Sequence, residues 1–270
     1  MKKLKAALAL FAVMIGVFAA MPMQAQAASA YGTKGSNQEK TAAFEQVKKT
    51  AEALQEQVDA AASKTYGHNV KVVNYSDPDE NGLIYESDGS GVIVAMDGNM
   101  VYIATAAHCL KRTHTKVTFA DGSEYDAYIG YRNPNKDVGF LLVSQAALKP
   151  ETLAAALPAA GADAAVVGKA AGDTLFAVSS SDVPNGLVSP GVLDSYSVVY
   201  PNNPKQNVLQ FLSTTSYGSS GGGVYTLEGI WVGSVSGGDT YGKCWAVPYS
   251  DIMVELYGWL NTLAMQQAAG

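Results

Sequence analysis

The sequence predicts an all-β fold, a two-barrel or sandwich architecture, with one helix before it and one after it. Three observations carry that expectation. From about His68 onward the chain breaks into about a dozen short β-rich runs separated by turns. Two Asp-Gly pairs, Asp97-Gly98 and Asp121-Gly122, mark tight hairpins. Helical periodicity is confined to the two flanks.

At the start, Lys2, Lys3 and Lys5 precede an uncharged apolar run from Ala6 to Met21, followed by the small-residue cleavage sites Ala25-Gln26-Ala27 and Ala28-Ser29-Ala30. The run is shorter than the roughly 20 residues a membrane span needs, and no later segment is apolar enough to span. Residues 1–27 therefore read as a signal peptide, with cleavage after Ala27 or after Ala30, and the protein is expected to be secreted or periplasmic, without stable membrane insertion. Losing those three lysines takes the formal charge from -6 to -9, which disfavours nucleic acid or anionic membrane as a partner. A mature chain of about 240 residues is long enough to bury an ordinary hydrophobic core.

Residues 31–66 read as a linker followed by an amphipathic helix. From Asn37 to about Ser63 the chain is rich in Ala, Glu, Gln and Lys and has no Gly or Pro. Phe44, Val47, Ala51, Leu54, Val58 and Ala61 alternate spacings of three and four, which makes one apolar stripe. Such a stripe suits docking on the helix's own domain, a removable pro-segment, or a short coiled coil that would make a homo-oligomer.

The main domain is expected over 67–265. Its strands are read at Gly91–Ala95, Val101–Thr105, Lys116–Phe119, Glu124–Gly130, Val138–Val143, Ala164–Gly168, Gly186–Leu193, Val208–Ser213, Gly222–Tyr225, Ile230–Ser236 and Cys244–Val247. An Ala-rich stretch near Ala146 to Ala162 falls midway, where a connection between two barrels would lie. A closing helix from Ser250 to about Met265 is signalled by Ile252, Met253, Leu256, Trp259, Leu260 and Leu263.

Between two of these strands stands Tyr217-Gly218-Ser219-Ser220-Gly221-Gly222-Gly223, a serine set among glycines, which suits either a plain surface loop or an exposed nucleophile. A serine hydroxyl needs a base to take its proton, and the chain has three histidines. His68 and His114 read as surface residues. His108 closes the run Val101–Ala107, where an apolar strand ends in small residues that leave room for an imidazole in a cleft. A buried carboxylate is then needed to fix the imidazole tautomer. Asp137 stands directly before the apolar strand Val138–Val143, and suits equally a strand-capping acid and that orienting acid, since a buried acid requires a hydrogen-bonding or cationic partner.

Thr105-Ala106-Ala107-His108-Cys109, Asp137-Val138-Gly139-Phe140-Leu141 and Gly218-Ser219-Ser220-Gly221-Gly222 resemble, in the right order, the His, Asp and Ser blocks of trypsin-like serine proteases. Gly89-Ser90-Gly91-Val92-Ile93-Val94, Asp121-Gly122-Ser123-Glu124-Tyr125 and Trp245-Ala246-Val247-Pro248 are similar to the bacterial Deg/HtrA branch. The resemblance covers about residues 68 to 262; eight residues follow, so no PDZ domain is expected. It implies two antiparallel six-stranded β-barrels and a serine endopeptidase acting on polypeptides. His108 would be the general base, Asp137 its orienter and Ser220 the nucleophile, with the N–H groups of Gly218 and Ser220 as the oxyanion hole. Gly218 suits that role because glycine reaches backbone angles closed to other residues. No cofactor is implied.

Departures from the family pattern are informative. Ser219 stands where digestive members carry an aspartate that pairs with a newly cut N-terminus, which argues against that route of activation. Gly223 replaces the usual Pro or Ala and is expected to loosen the loop. The substrate pocket implied by the resemblance is walled by Thr214, Thr215, Ser236, Gly237, Gly238 and Cys244. None is charged, so a basic P1 residue is disfavoured and a small or medium apolar one is preferred. Ser213-Thr214-Thr215 is similar to glutamyl endopeptidases, but Val235 stands where their pocket histidine would be. Cys109 and Cys244 suit a disulfide in an oxidising compartment, but the resemblance implies places behind His108 and near the pocket base, beyond the reach of a bridge, so two unpaired buried thiols are the preferred expectation; no metal-ligand spacing is present. Two other functions fit the same residues: a binding or chaperone-like protein that keeps the fold, motivated by the extra helix and Gly223, and an esterase or other acyl transferase using the same triad.

Overall fold

The computed structural model describes residues 37–180 and 187–269. The expected signal peptide, its cleavage sites and the linker before Asn37 lie outside the described residues, as does Gly186 at the head of one expected strand. Helix α1 spans Asn37–Ser63, the range the composition predicts. The side chains of Phe44 and Val47 lie outside the described ones, but the rest of the stripe turns inward. Ala51 and Leu54 are half-buried, and Val58, Ala61 and Ala62 are fully packed against the body of the protein. Over this part, the stripe is a docking face on the helix's own domain.

Twelve strands follow among the described residues, in two closed antiparallel barrels. The first contains β1 (Asn69–Tyr75), β2 (Glu86–Met96), β3 (Met100–Thr105), β4 (His114–Thr118), β5 (Glu124–Asn133) and β6 (Val138–Ser144), in the spatial order β1-β2-β3-β6-β5-β4. After a short helix α2 (Pro150–Ala155) in the Ala-rich connection, the second contains β7 (Thr174–Ser179), β8 (Leu187–Tyr200), β9 (Asn203–Ser213), β10 (Gly223–Thr226), β11 (Trp231–Gly238) and β12 (Lys243–Pro248), in the order β10-β11-β12-β9-β8-β7. Both Asp-Gly pairs sit in hairpin loops, with Gly98 at φ 90° and Gly122 at φ 80°. A side chain is strained at such angles, which is why glycine follows aspartate there.

Several strands are apolar on both faces because alternate residues serve two different cores. In β6, Val138 and Phe140 face a central cluster while Leu141 and Val143 fill the first barrel. In β7, Phe176 and Val178 face the centre while Leu175 and Ala177 fill the second barrel. The central cluster thus joins the barrels through β2, β3 and β6 on one side and β7, β10, β11 and β12 on the other. Both flanking helices dock on it, α1 through Val58, Ala61 and Ala62, and α3 (Tyr249–Ala269) through Ile252 and Leu256. Trp259 of α3 stacks on Phe140 with ring centroids 5.8 Å apart, whereas Leu263, read as part of the same stripe, is exposed.

One expected strand does not form. Residues 164–168 make a turn, because Asp163 O accepts from both Val166 N and Val167 N and the segment closes at Gly168 with φ 72°. Val166 accordingly points into solvent. β1 and β7 were not anticipated as separate strands.

Candidate active site

Three sequence-distant segments meet in the cleft between the barrels. β3 ends at Thr105, and the small residues Ala106 and Ala107, both buried, allow a tight 3-10 turn over Ala107–Cys109. The turn is closed by Cys109 N–H donating to Ala106 O at 3.0 Å, and Arg132 Nε fixes Ala107 O at 2.9 Å. His108 projects from it with 41% of its side chain exposed. Asp137 precedes β6 and is the one non-glycine residue at positive φ among those described, at 52°. Aspartate is among the few residues that accept this angle, and such strain collects where a side chain must be aimed.

The aim is visible in its contacts. Asp137, with 11% of its side chain exposed, accepts from His108 Nδ1 at 2.9 Å on each carboxylate oxygen and from His108 N–H at 3.0 Å. The Ser236 hydroxyl donates to its other face at 2.5 Å and lies 3.2 Å from the Tyr200 hydroxyl. Among the described hydrogen bonds, the Asp137 carboxylate thus engages His108 and Ser236 and no N–H of its own strand. On the opposite edge of the imidazole, His108 Nε2 lies 2.9 Å from Ser220 Oγ. The Asp137 carboxylate at Nδ1 is the main reason the His108 imidazole is raised above its ordinary range.

Ser220 sits on the glycine loop between β9 and β10. Gly218 (φ 86°) and Gly221 (φ 85°) take left-handed angles. A Cβ on Gly221 would overlap the Ser90 carbonyl oxygen and Thr105 Oγ1, so the loop reaches across to the first barrel only because that carbon is missing. Ser216 and Ser219 bond reciprocally, Ser219 N–H to Ser216 O at 3.1 Å and Ser216 N–H to Ser219 Oγ at 3.2 Å. Gly221 N–H donates to Val235 O at 2.7 Å. The N–H groups of Gly218 and Ser220 have no acceptor among the described hydrogen bonds and remain available to a ligand oxygen.

Gly223 is tightly packed rather than loose. A Cβ there would overlap the ring of Tyr225, which is fully buried and donates from its hydroxyl to Asn69 Oδ1 at 3.2 Å. The small residue makes room for the large one, which removes one motive for a non-enzymatic reading.

Of the expected pocket residues, Thr215, Gly238 and Cys244 converge. Thr215 Oγ1 lies 2.9 Å from Cys244 Sγ, and a Cβ on Gly238 would stand 3.4 Å from that sulfur. Thr214 is exposed and Gly237 packs under the Tyr200 hydroxyl. Ser236 departs from the expectation, because its hydroxyl is held by Asp137 rather than turned to a pocket wall. Burial pushes the Cys244 thiol up, and both cysteines are free and buried. His68 and His114 lie elsewhere, on Leu157 O and Asp77 respectively. No cluster of metal-ligating side chains occurs among the described residues.

A family model described as the trypsin-like peptidase domain matches residues 89–233. The matched segment is just over half of the chain and contains His108, Asp137 and Ser220. No curated protein matches the chain.

Proposed function

Because the chain belongs to the trypsin-like peptidase domain family, a peptidase family acting on peptide substrates, we propose that it is an exported serine endopeptidase that cleaves polypeptides through an acyl-enzyme. The observation that carries this reading is the unbroken relay from Asp137 through His108 to Ser220, with 2.9 Å at each step. Ser220 Oγ attacks the scissile carbonyl while His108 Nε2 takes its proton, and the imidazolium formed is stabilised by Asp137. The negative charge on the carbonyl oxygen is met by the N–H groups of Gly218 and Ser220. His108 then gives the proton to the leaving amine, the acyl group stays on Ser220, and a water activated by His108 releases it.

The uncharged group of Thr215, Gly238 and Cys244 favours a small or medium apolar P1 side chain. Its size preference is read directly by cleavage profiling on a peptide library. Preferential cleavage after Arg, Lys or Glu would overturn that assignment. Parallel peptide and ester assays separate an endopeptidase from an esterase, since an esterase leaves the peptide intact. Export rests on the Lys2–Ala30 pattern, and affinity to the Deg/HtrA branch on Gly89–Val94 and Asp121–Tyr125.

The proton chemistry predicts a pH dependence. The relay requires neutral His108, and Asp137 raises its pKa above the ordinary imidazole value of about 6.5. The acid limb of kcat/KM is therefore expected above pH 6.5, with activity growing toward alkaline pH; a limb at or below that value contradicts the coupling. The stability contributed by this pair has the opposite sense, being fully present below the unfolded pKa and fading as pH rises through the folded one.

The apolar stripe of the 37–63 helix is also the element through which a homo-oligomer would form. Deleting residues 37–63 from the mature protein is expected to lower the number of subunits per particle seen in sedimentation, while an unchanged subunit number removes the oligomer.

A further inference from the structure

Ser90 lies in β2, is fully buried and contributes nothing to the relay or the pocket, yet it makes four hydrogen bonds around the nucleophile loop. Its hydroxyl donates to Gly218 O at 2.8 Å and accepts from Ser180 N–H at 2.9 Å. Its own N–H donates to Ser220 O at 2.8 Å, and its carbonyl accepts from Thr105 Oγ1 at 2.7 Å. The carbonyls of Gly218 and Ser220, the two residues whose N–H groups are free, therefore both end on a single residue of the opposite barrel.

This matters most for Gly218. Glycine alone sits easily at φ 86°, but the same freedom leaves the position soft when nothing fixes it. The other ties of the loop, Ser219 N–H to Ser216 O, Ser216 N–H to Ser219 Oγ, Gly221 N–H to Val235 O, Gly222 N–H to Ser219 O and a long one from Ser216 Oγ to Tyr217 O at 3.4 Å, reach the peptides on either side of Gly218 but bond no atom of Gly218 itself. Among the described hydrogen bonds, the one on Gly218 is that from Ser90 Oγ. Ser180 N–H holds the hydroxyl oxygen from behind, so its proton is directed at the Gly218 carbonyl.

We propose that Ser90 is a positioning residue for peptide hydrolysis: its hydroxyl anchors the Gly218 carbonyl on one side of the flexible Gly218 Cα, so that the N–H on the other side, in the Tyr217–Gly218 peptide, stays directed at the developing oxyanion. Ser90 also ties the barrel that carries His108 to the loop that carries Ser220, so one side chain sets the register of the two halves of the site. This role rests on the peptidase reading, since an oxyanion hole has meaning only if Ser220 attacks a carbonyl.

The test is Ser90→Ala, which keeps the backbone bonds to Ser220 and Thr105 and removes only the hydroxyl. Three quantities are compared with the parent: peptide hydrolysis, affinity for a peptide boronic acid, which forms a tetrahedral adduct on Ser220, and affinity for the unreactive cleaved product peptide. The expected result is a fall in kcat of about 10- to 100-fold, below the cost of deleting an oxyanion donor outright. The boronate affinity falls with it, while KM and product affinity hold. A parent-like kcat, or equal losses of boronate and product affinity, would overturn the role. Should Ser90→Ala fail to fold, Ser90→Cys, close in size and a weak donor, is judged by the same criteria. A parent protein that neither hydrolyses peptide nor binds the boronate removes the peptidase reading itself, and the Ser90 role with it.

Discussion

Replacing Ser220 with Ala is expected to lower peptide hydrolysis by about 10⁴-fold or more while the protein stays folded. The size follows from the geometry. Ser220 Oγ is the atom within 2.9 Å of His108 Nε2, and no other hydroxyl among the described residues shares that position. The neighbouring Ser219 cannot substitute, because it is buried and its hydroxyl is engaged by Ser216 N–H. Stability should hardly change, since the lost hydroxyl lies at the cleft and its bond to His108 is partly replaceable by water. Purified Ser220→Ala assayed on an unfolded polypeptide, with thermal unfolding alongside, gives both quantities. Parent-like cleavage would show that hydrolysis proceeds elsewhere.

Gly221→Ala carries the second large effect, and here stability and activity fall together. Two costs add. An alanine at φ 85° pays about 1–2 kcal/mol for the left-handed backbone. Its Cβ would also overlap Ser90 O and Thr105 Oγ1 and come within 2.9 Å of Ala106 N. Those atoms are backbone and buried side chain, so relief requires moving the loop away from the first barrel, at a further cost of about 1–3 kcal/mol. The loop that moves carries Ser220, and a displacement of about 1 Å is enough to lose about 10²-fold in rate. Chemical denaturation and a peptide assay on the same sample measure both losses. A variant that keeps parental stability and rate would mean that the loop does not sit where Gly221 allows it to.

The three residues that the fold brings together were legible in the sequence because each sits in a distinctive setting. His108 follows a strand that ends in small residues, Asp137 precedes an apolar strand, and Ser220 lies among glycines whose positive φ angles the structure contains. What remained illegible was the second layer. Ser236 was read as a pocket wall and Ser90 as part of a glycine-flanked motif, and nothing local marked their bonds to Asp137 and Gly218, because those partners lie 99 and 128 residues away. The meaning of Gly223 was hidden for a similar reason, since its partner Tyr225 becomes informative only once the ring is known to turn back beneath it.

The fold shows the same division. α1 and the hairpins at Asp97-Gly98 and Asp121-Gly122 follow from local chemistry, so composition and turn preference reach them. The strand expected at residues 164–168 has suitable side chains, but the Asp163 carbonyl collects its N–H groups into a turn. Strands such as β6 and β7 are apolar on both faces because they serve a barrel interior and the seam between barrels at once. Alternation, the usual mark of a strand, is weakened by that double duty.

His108, oriented by Asp137, is expected to activate Ser220 toward an acyl group. Labelling with a fluorophosphonate followed by peptide mapping tests it most directly, because the reagent reacts with an activated serine and marks its position. One adduct per chain is expected, on Ser220, absent in His108→Ala and formed far more slowly in Asp137→Asn. An unlabelled Ser220, or labelling of Ser220 that is indifferent to His108, would contradict it.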